Sequence, residues 1–254
     1  MVSDFAVSNV LSASWKAFSS QVWILAGLLI GYIILSFTLG AVLQPAFSSS
    51  WGGLLFVDLL NAAISLIFML GYLKNMFQAL DGDEPRFSAY GQQAHKIGTL
   101  FVSSLLYGIL VFVVALVTLL PYFYLLYDLS LIKETVLDPY SLPAVSDIEW
   151  LSVLFTALGV LCLLLPAMYF GIRFMFYQAF IVSDNVGIID SLKKSWEITK
   201  GHTLSLFLLT LASVGITIAG LLLFVIGLFV AIPLVYMMYC CAFRKLNHYP
   251  AYNE

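Results

Sequence analysis

The sequence predicts an all-α integral membrane protein with six transmembrane helices, ordered as three repeats of an amphipathic surface helix plus a transmembrane hairpin. Three observations predict it. Of the 254 residues, 62% are hydrophobic and 10% are charged, with mean hydropathy +1.00; soluble domains carry about 25% charged residues. A crossing of hydrocarbon about 30 Å thick takes roughly 20 apolar residues, and six such runs fill the chain as one polytopic domain, 1–254. The bases also segregate. Lys16, Lys74, Arg86, Lys96, Arg173, Lys193, Lys194, Lys200, Arg244 and Lys245 fall on or nearest one side of the six crossings, and Lys133 falls on the other. By the positive-inside rule the base-rich side, which carries both termini, is the cytoplasm. The expected location is therefore the cytoplasmic (inner) membrane, with both termini inside.

Residues 4–18 are expected to form the first surface helix, capped by Ser3 or Asp4, whose side chains accept from first-turn amides. Val7, Leu11, Trp15 and Phe18 recur at helical spacing. Trp15, beside Lys16, suits the headgroup level, where an indole ring is half wet. The first crossing is placed at 22–43 and the second at 54–73, joined by a Pro-, Ser- and Gly-rich link from Gln44 to Gly53. Asp58 and Asn61 lie near the outer end of the second crossing. The polar loop Asp81-Gly82-Asp83-Glu84-Pro85 follows, with Pro85 expected in the first turn of a second surface segment at 86–96.

The third crossing is placed at 98–121, followed by an aromatic cluster from Tyr122 to Tyr127 and a long acidic loop from Asp128 to Glu149. The run from Leu151 to Val182 would reach about 48 Å as one helix. The fourth crossing is therefore set at 151–172, with a kink at Pro166 or with its last turns outside the bilayer. Arg173 then either snorkels to the inner headgroups or faces the bundle interior as an anion site. From Thr203 to Phe243 no residue is charged. One helix of that length would span about twice the hydrocarbon core, so the run must turn back between Gly220 and Gly227, giving crossings at 203–220 and 225–243.

The most polar helical stretch is 186–200, capped by Asp184 or Asn185 and ended by Gly201 in the left-handed conformation. Ile189, Leu192 and Trp196 are expected as its apolar stripe, with Asp190 and Lys194 paired one turn apart. Lys193, Lys194 and Lys200 point to water or anionic headgroups, each worth about 1 kcal/mol near an anionic surface. Leu11, Ser14 and Trp15 align without gaps on Leu192, Ser195 and Trp196, and each set precedes a hairpin. These units share one orientation, unlike the inverted repeats of many alternating-access carriers.

The run Asp184 to Gly201, the segment Gly227 to Tyr239 with Pro233 and Tyr236, the Leu165-Pro166 pair before Arg173 and the loop before residue 86 carry a resemblance. They resemble uncharacterised bacterial multi-pass membrane proteins similar to the membrane domain of glycerophosphoryl diester phosphodiesterases. The likeness covers most of the chain through short apolar motifs. It implies a bacterial cytoplasmic-membrane protein, and it carries over no catalytic residue, because in the fused enzymes a separate soluble barrel does the chemistry.

No His-Glu-x-x-His, phosphate-binding glycine loop, Cys-x-x-Cys or Gly-x-Ser-x-Gly occurs in the chain. His95, His202 and His248 are far apart in sequence, and Cys162, Cys240 and Cys241 sit in apolar runs without ligand spacing. Neither cofactor nor metal is expected, and a net charge of −3 argues against nucleic acid. The expectation is a non-enzymatic scaffold or regulator that binds membrane lipids, a protein partner or a second copy of itself. The candidate contact residues are Trp15, Lys16, Lys193, Lys194, Trp196 and Lys200. The alternative is a small-molecule or lipid transporter with Arg173 and Asp58 along its path; a membrane-embedded lipid enzyme carries the least weight.

Overall fold

The structure, a computed structural model, describes residues 6–136, 159, 165–223 and 226–247. Among these the fold is all-α. The helices are α1 (Val7–Phe47), α2 (Trp51–Leu80), α3 (Ser88–Gln93) with a 3-10 turn at Ala94–Lys96, and α4 (Ile97–Val136). They continue with α5 (165–174), α6 (Tyr177–Ser183), α7 (Ile188–Ile198), α8 (Thr203–Leu222) and α9 (Leu228–Leu246). Six helical stretches among the described residues are long and apolar enough to cross a membrane: Val7–Phe47, Trp51–Leu80, Ser88–Thr118, Leu165–Ser183, Thr203–Leu222 and Leu228–Leu246. The described part of the fourth overlaps the expected 151–172 at 165–172, and most of 151–164 lies outside the described residues. The expected caps Ser3 and Asp4, and Lys133's loop beyond Val136, also lie wholly or partly outside them.

Where helices begin and end follows local chemistry. Ser50 caps α2 through its hydroxyl, which accepts from the Gly53 amide at 3.0 Å, so the link to α1 shrinks to a three-residue turn. Helix α4 runs on to Val136, into the stretch expected as loop, because no glycine or proline follows Pro121 within it to stop the helix. Pro85 precedes α3 by three residues and lies in the loop rather than in the first turn. Neither Asp184 nor Asn185 caps α7. Its N-cap is Gly187, extended at φ −71°, ψ 177°; Asn185 takes the left-handed conformation, φ 54°, and Asp184 accepts from the Ser183 hydroxyl at 2.6 Å. Gly201, at φ 87°, turns the chain from α7 into α8 as expected.

The chain divides into two compact units, residues 1–104 with 173–254, and residues 105–172. In the first, α9 packs against α1, α2 and α8, while α3 lies on α2 and α7 on α6. Phe243 of α9 is fully buried among Phe77, Phe176 and Phe180, whose ring centroids lie 5.7, 5.8 and 4.9 Å away. Tyr72 meets Tyr236 edge-on and donates to the Leu25 carbonyl at 3.2 Å. The buried residues gather at one end of this unit: Leu25, Leu70 to Leu73, Asn75 to Phe77, Phe180 to Val182, Met237, Met238 and Cys240 to Phe243. Toward the other end Ile34, Phe37, Leu55, Phe56, Leu59 and Leu222 remain exposed, as suits side chains facing lipid tails. In the second unit, Leu105, Ile109, Phe112, Val113 and Leu120 of α4 are likewise exposed.

Two close approaches depend on glycine. A Cβ at Gly220 would meet the Ala231 Cβ at 2.7 Å and the Gly227 carbonyl at 3.0 Å, where the α8–α9 turn closes without polar residues. A Cβ at Gly71 would meet the Tyr90 ring and its Cα, the latter at 2.8 Å, where α3 is seated on α2. Gly71→Ala should therefore destabilise the protein by about 1–3 kcal/mol through overpacking. Gly27→Ala, in α1 with open space around it, should be neutral or stabilising by up to about 1 kcal/mol. Thermal melting of both variants in detergent distinguishes these outcomes.

Candidate functional site at the surface helices

The first part of α1 and all of α7 bury the same register. Val10, Ser14 and Phe18 are buried in one, Ser191, Ser195 and Thr199 in the other, and the sequence alignment pairs these positions in order. The match extends to the backbone. Helix α1 breaks at Gln21 (φ −133°, ψ 20°), and the residue aligned with it, His202, takes φ −112°, ψ 12° just before α8. Gln21 Nε2 donates to the Asp83 carbonyl at 3.0 Å, tying that break to the loop after α2. Residues 7–20 thus form a helix distinct from the crossing that follows.

The buried faces are not the expected stripes. Leu11, Trp15 and Ile189 point outward, Trp15 being 54% and Ile189 60% exposed, while serine and threonine point inward on α7. The reason lies in the chain they pack against. Between α5 and α6 the helix is interrupted at Met175–Phe176. Ser195 Oγ accepts from the Phe176 N–H at 3.1 Å and donates to the Arg173 carbonyl at 3.1 Å. Thr199 Oγ1, bonded to the Ser195 carbonyl at 2.8 Å, also lies 3.3 Å from the Arg173 carbonyl. An apolar side chain at 195 would gain about 1.5–3 kcal/mol from burial. It would strand the buried Phe176 amide, at about 1–3 kcal/mol, and leave the Arg173 carbonyl to the longer Thr199 bond, a further loss of about 0.5–1.5 kcal/mol. The hydroxyl wins, and the face turns by one position.

Arg173 is buried at 3% exposure, with its guanidinium 4.1 Å above the Trp196 ring, a desolvated cation–π contact worth about 2 kcal/mol. The Phe174 ring also packs on Trp196, tilted, with centroids 5.4 Å apart. Trp196 is thereby half-buried, and Arg173 is a packing partner of α7. Asp58 is exposed on α2. The helical rise places it about 22 Å from Leu73 along α2, whereas Phe176, next to the break, shares a cavity with Leu73. Arg173 and Asp58 therefore do not form one site.

Other basic side chains are also used inside the fold. Lys96, 8% exposed, donates to the Val182 carbonyl at 3.1 Å, where the last turn of α6 presents the negative end of its dipole. Arg244 pairs with Asp81 at 2.7 Å, just past the end of α2, and its guanidinium lies 5.1 Å from the Phe77 ring centroid. Lys16, Lys193, Lys194 and Lys200 remain exposed. Lys194 leans over the Phe180 ring at 5.7 Å, and among the described residues no ion pair joins it to Asp190. His95 is exposed, His248 lies outside the described residues, and no metal-binding cluster occurs among the described residues. The splint formed by Ser195 and Thr199 escaped sequence reasoning; the one signal for it was hydroxyl residues at 191, 195 and 199, spaced one helical turn apart.

An all-α fold with six membrane-length helices among the described residues defines a membrane protein of multi-pass type. More particularly, the chain belongs to the family described as a domain of unknown function (DUF7847), which matches residues 5–247. No curated protein and no solved structure matches it.

Ser195→Ala should destabilise the protein by about 1–3 kcal/mol, the cost of stranding the buried Phe176 amide. Ser14→Ala should cost well under that, because the Ser14 hydroxyl only returns to the Val10 carbonyl of its own helix, at 2.6 Å. Paired thermal melts of the two variants check the contrast.

Proposed function

We propose that this protein is a non-enzymatic scaffold or regulator of the cytoplasmic membrane whose surface helices grip anionic lipid headgroups. The observation that carries the reading is the sorting of side chains on two helices of matching register. Hydroxyls and Phe18 serve the interior, while Leu11, Trp15, Lys16, Ile189, Lys193, Lys194 and Lys200 face outward. Exposed aromatic and aliphatic groups beside lysines are the composition that seats a helix at the headgroup level. The segregation of bases supports a topology with both termini in the cytoplasm, and the resemblance to membrane domains of bacterial type supports the inner membrane as the location. The role of Arg173 as a partner of Trp196 favours this reading over transport through an anion site.

In protein reconstituted into mixed vesicles, Lys193→Gln/Lys194→Gln/Lys200→Gln should reduce bound phosphatidylglycerol. About 1 kcal/mol is at stake for each lysine near the surface. Native mass spectrometry of the lipid adducts reads the loss. Unchanged adduct populations would overturn the lipid reading. Protease protection of tags in inverted vesicles should find both termini on the cytoplasmic face.

A further inference from the structure

A cavity of about 70 Å³ lies beside the break between α5 and α6, and its lining includes Leu73, Met175, Phe176, Gln178, Tyr236 and Cys240. Two of these, Met175 and Phe176, are the turn residues of the break itself. Their position is held from outside the cavity by α7, through the Ser195 hydroxyl on the Phe176 amide and the Arg173 carbonyl and through Trp196 against Arg173 and Phe174. Lys193 lies on the opposite face of the same helix, Lys194 is exposed at its flank over the Phe180 ring, and Lys200 is exposed in the turn that follows. One eleven-residue helix thus has exposed lysines on or beside it and, on its inward side, holds the wall of a partly open cavity.

We propose that α7 is a coupling element: anionic phospholipid headgroups engaged by its lysines hold the Ser195 clamp shut and so close the cavity at Met175–Phe176. The proposal rests on the lipid-binding reading above and adds regulation to that site. Its physical basis is that the clamp is a discrete two-bond arrangement. When α7 lifts, the Phe176 amide and Arg173 carbonyl lose their partner together, and the turn must either rewind or admit water. A ligand that favours docked α7 shifts that equilibrium by its differential affinity for the docked state. The first surface helix lacks the device, since Ser14 satisfies only its own helix.

Cys240 is a native reporter. It lines the cavity, while Cys241 beside it is buried outside the cavity lining. The protein is reconstituted in phosphatidylcholine vesicles with and without phosphatidylglycerol and exposed to N-ethylmaleimide, and adducts are located by peptide mass spectrometry. The readout is the Cys240 rate relative to Cys241, which cancels changes in reagent concentration at the membrane. In the wild type the relative rate should fall about five-fold or more when phosphatidylglycerol is present, the low end of ordinary coupling between sites. Ser195→Ala and the triple lysine-to-glutamine variant should each react fast in both lipids; the triple variant alters exposed residues alone and so tests the idea even if Ser195→Ala does not fold. A wild-type rate indifferent to lipid, or a lipid response preserved in either variant, overturns the coupling. Lost phosphatidylglycerol adducts in the triple variant together with an indifferent Cys240 would leave the lipid reading standing and remove the coupling alone. Retained adducts in that variant would remove both.

Discussion

A backbone amide or carbonyl released by a broken helix has no water to turn to inside an apolar bundle, and each such group left bare costs several kcal/mol. That constraint fixes more of this molecule than any apolar contact does. It explains why α7 presents Ser195 and Thr199 to α5 and α6, why Trp196 lies beneath Arg173, and why the lysines of α7 end up outside. Once the hydroxyl register is set, the outward register follows from the helical period. The outward surface of α7 is the complement of the surface that repairs the break.

The same logic divides the basic residues into two groups. The segregation of charge to one side counts them all alike. In the fold, Lys96 and Arg244 are spent on the ends of α6 and α2, where helix dipoles and a carboxylate draw them in. Arg173 is spent on an indole. Lys16 on α1, Lys193 and Lys194 on α7, and Lys200 just after α7 stay exposed. A count of bases on one side therefore overstates the basic surface left exposed.

The sequence made the fold class legible because its signals are of the right kind. Apolar length and the charge-free stretch from Thr203 to Phe243 are properties of whole segments, and they survive errors of several residues at each end. The Gly220–Gly227 turn and the left-handed Gly201 were legible for a local reason: few residues other than glycine fit. The caps of α7 and the end of α4 were not legible, since Asp184 was drawn into a contact with Ser183 and no stop signal follows Pro121. Least legible was the inward face of α7. Apolar periodicity selects Ile189, Leu192 and Trp196, but the groups that needed α7 were backbone atoms of a break over twenty residues away from Thr199 in sequence. Nothing in a helix's own composition announces an unpaired amide on another helix.

Helix α9 is made last of these elements and packs against α1, the first. At ordinary elongation rates, on the order of ten to forty seconds separate their emergence from the ribosome. During that interval Leu25, Leu70 and Phe77 have no Phe243 or Met237 to lean on. The nascent hairpin α1–α2 must be tolerated by the insertion machinery in an unfinished form, held by such local bonds as Tyr32 to Ser65. Biogenesis of this protein is accordingly a matter of waiting, and a stalled or shortened translation product would expose a half-built seam to whatever guards membrane-protein quality in the cell.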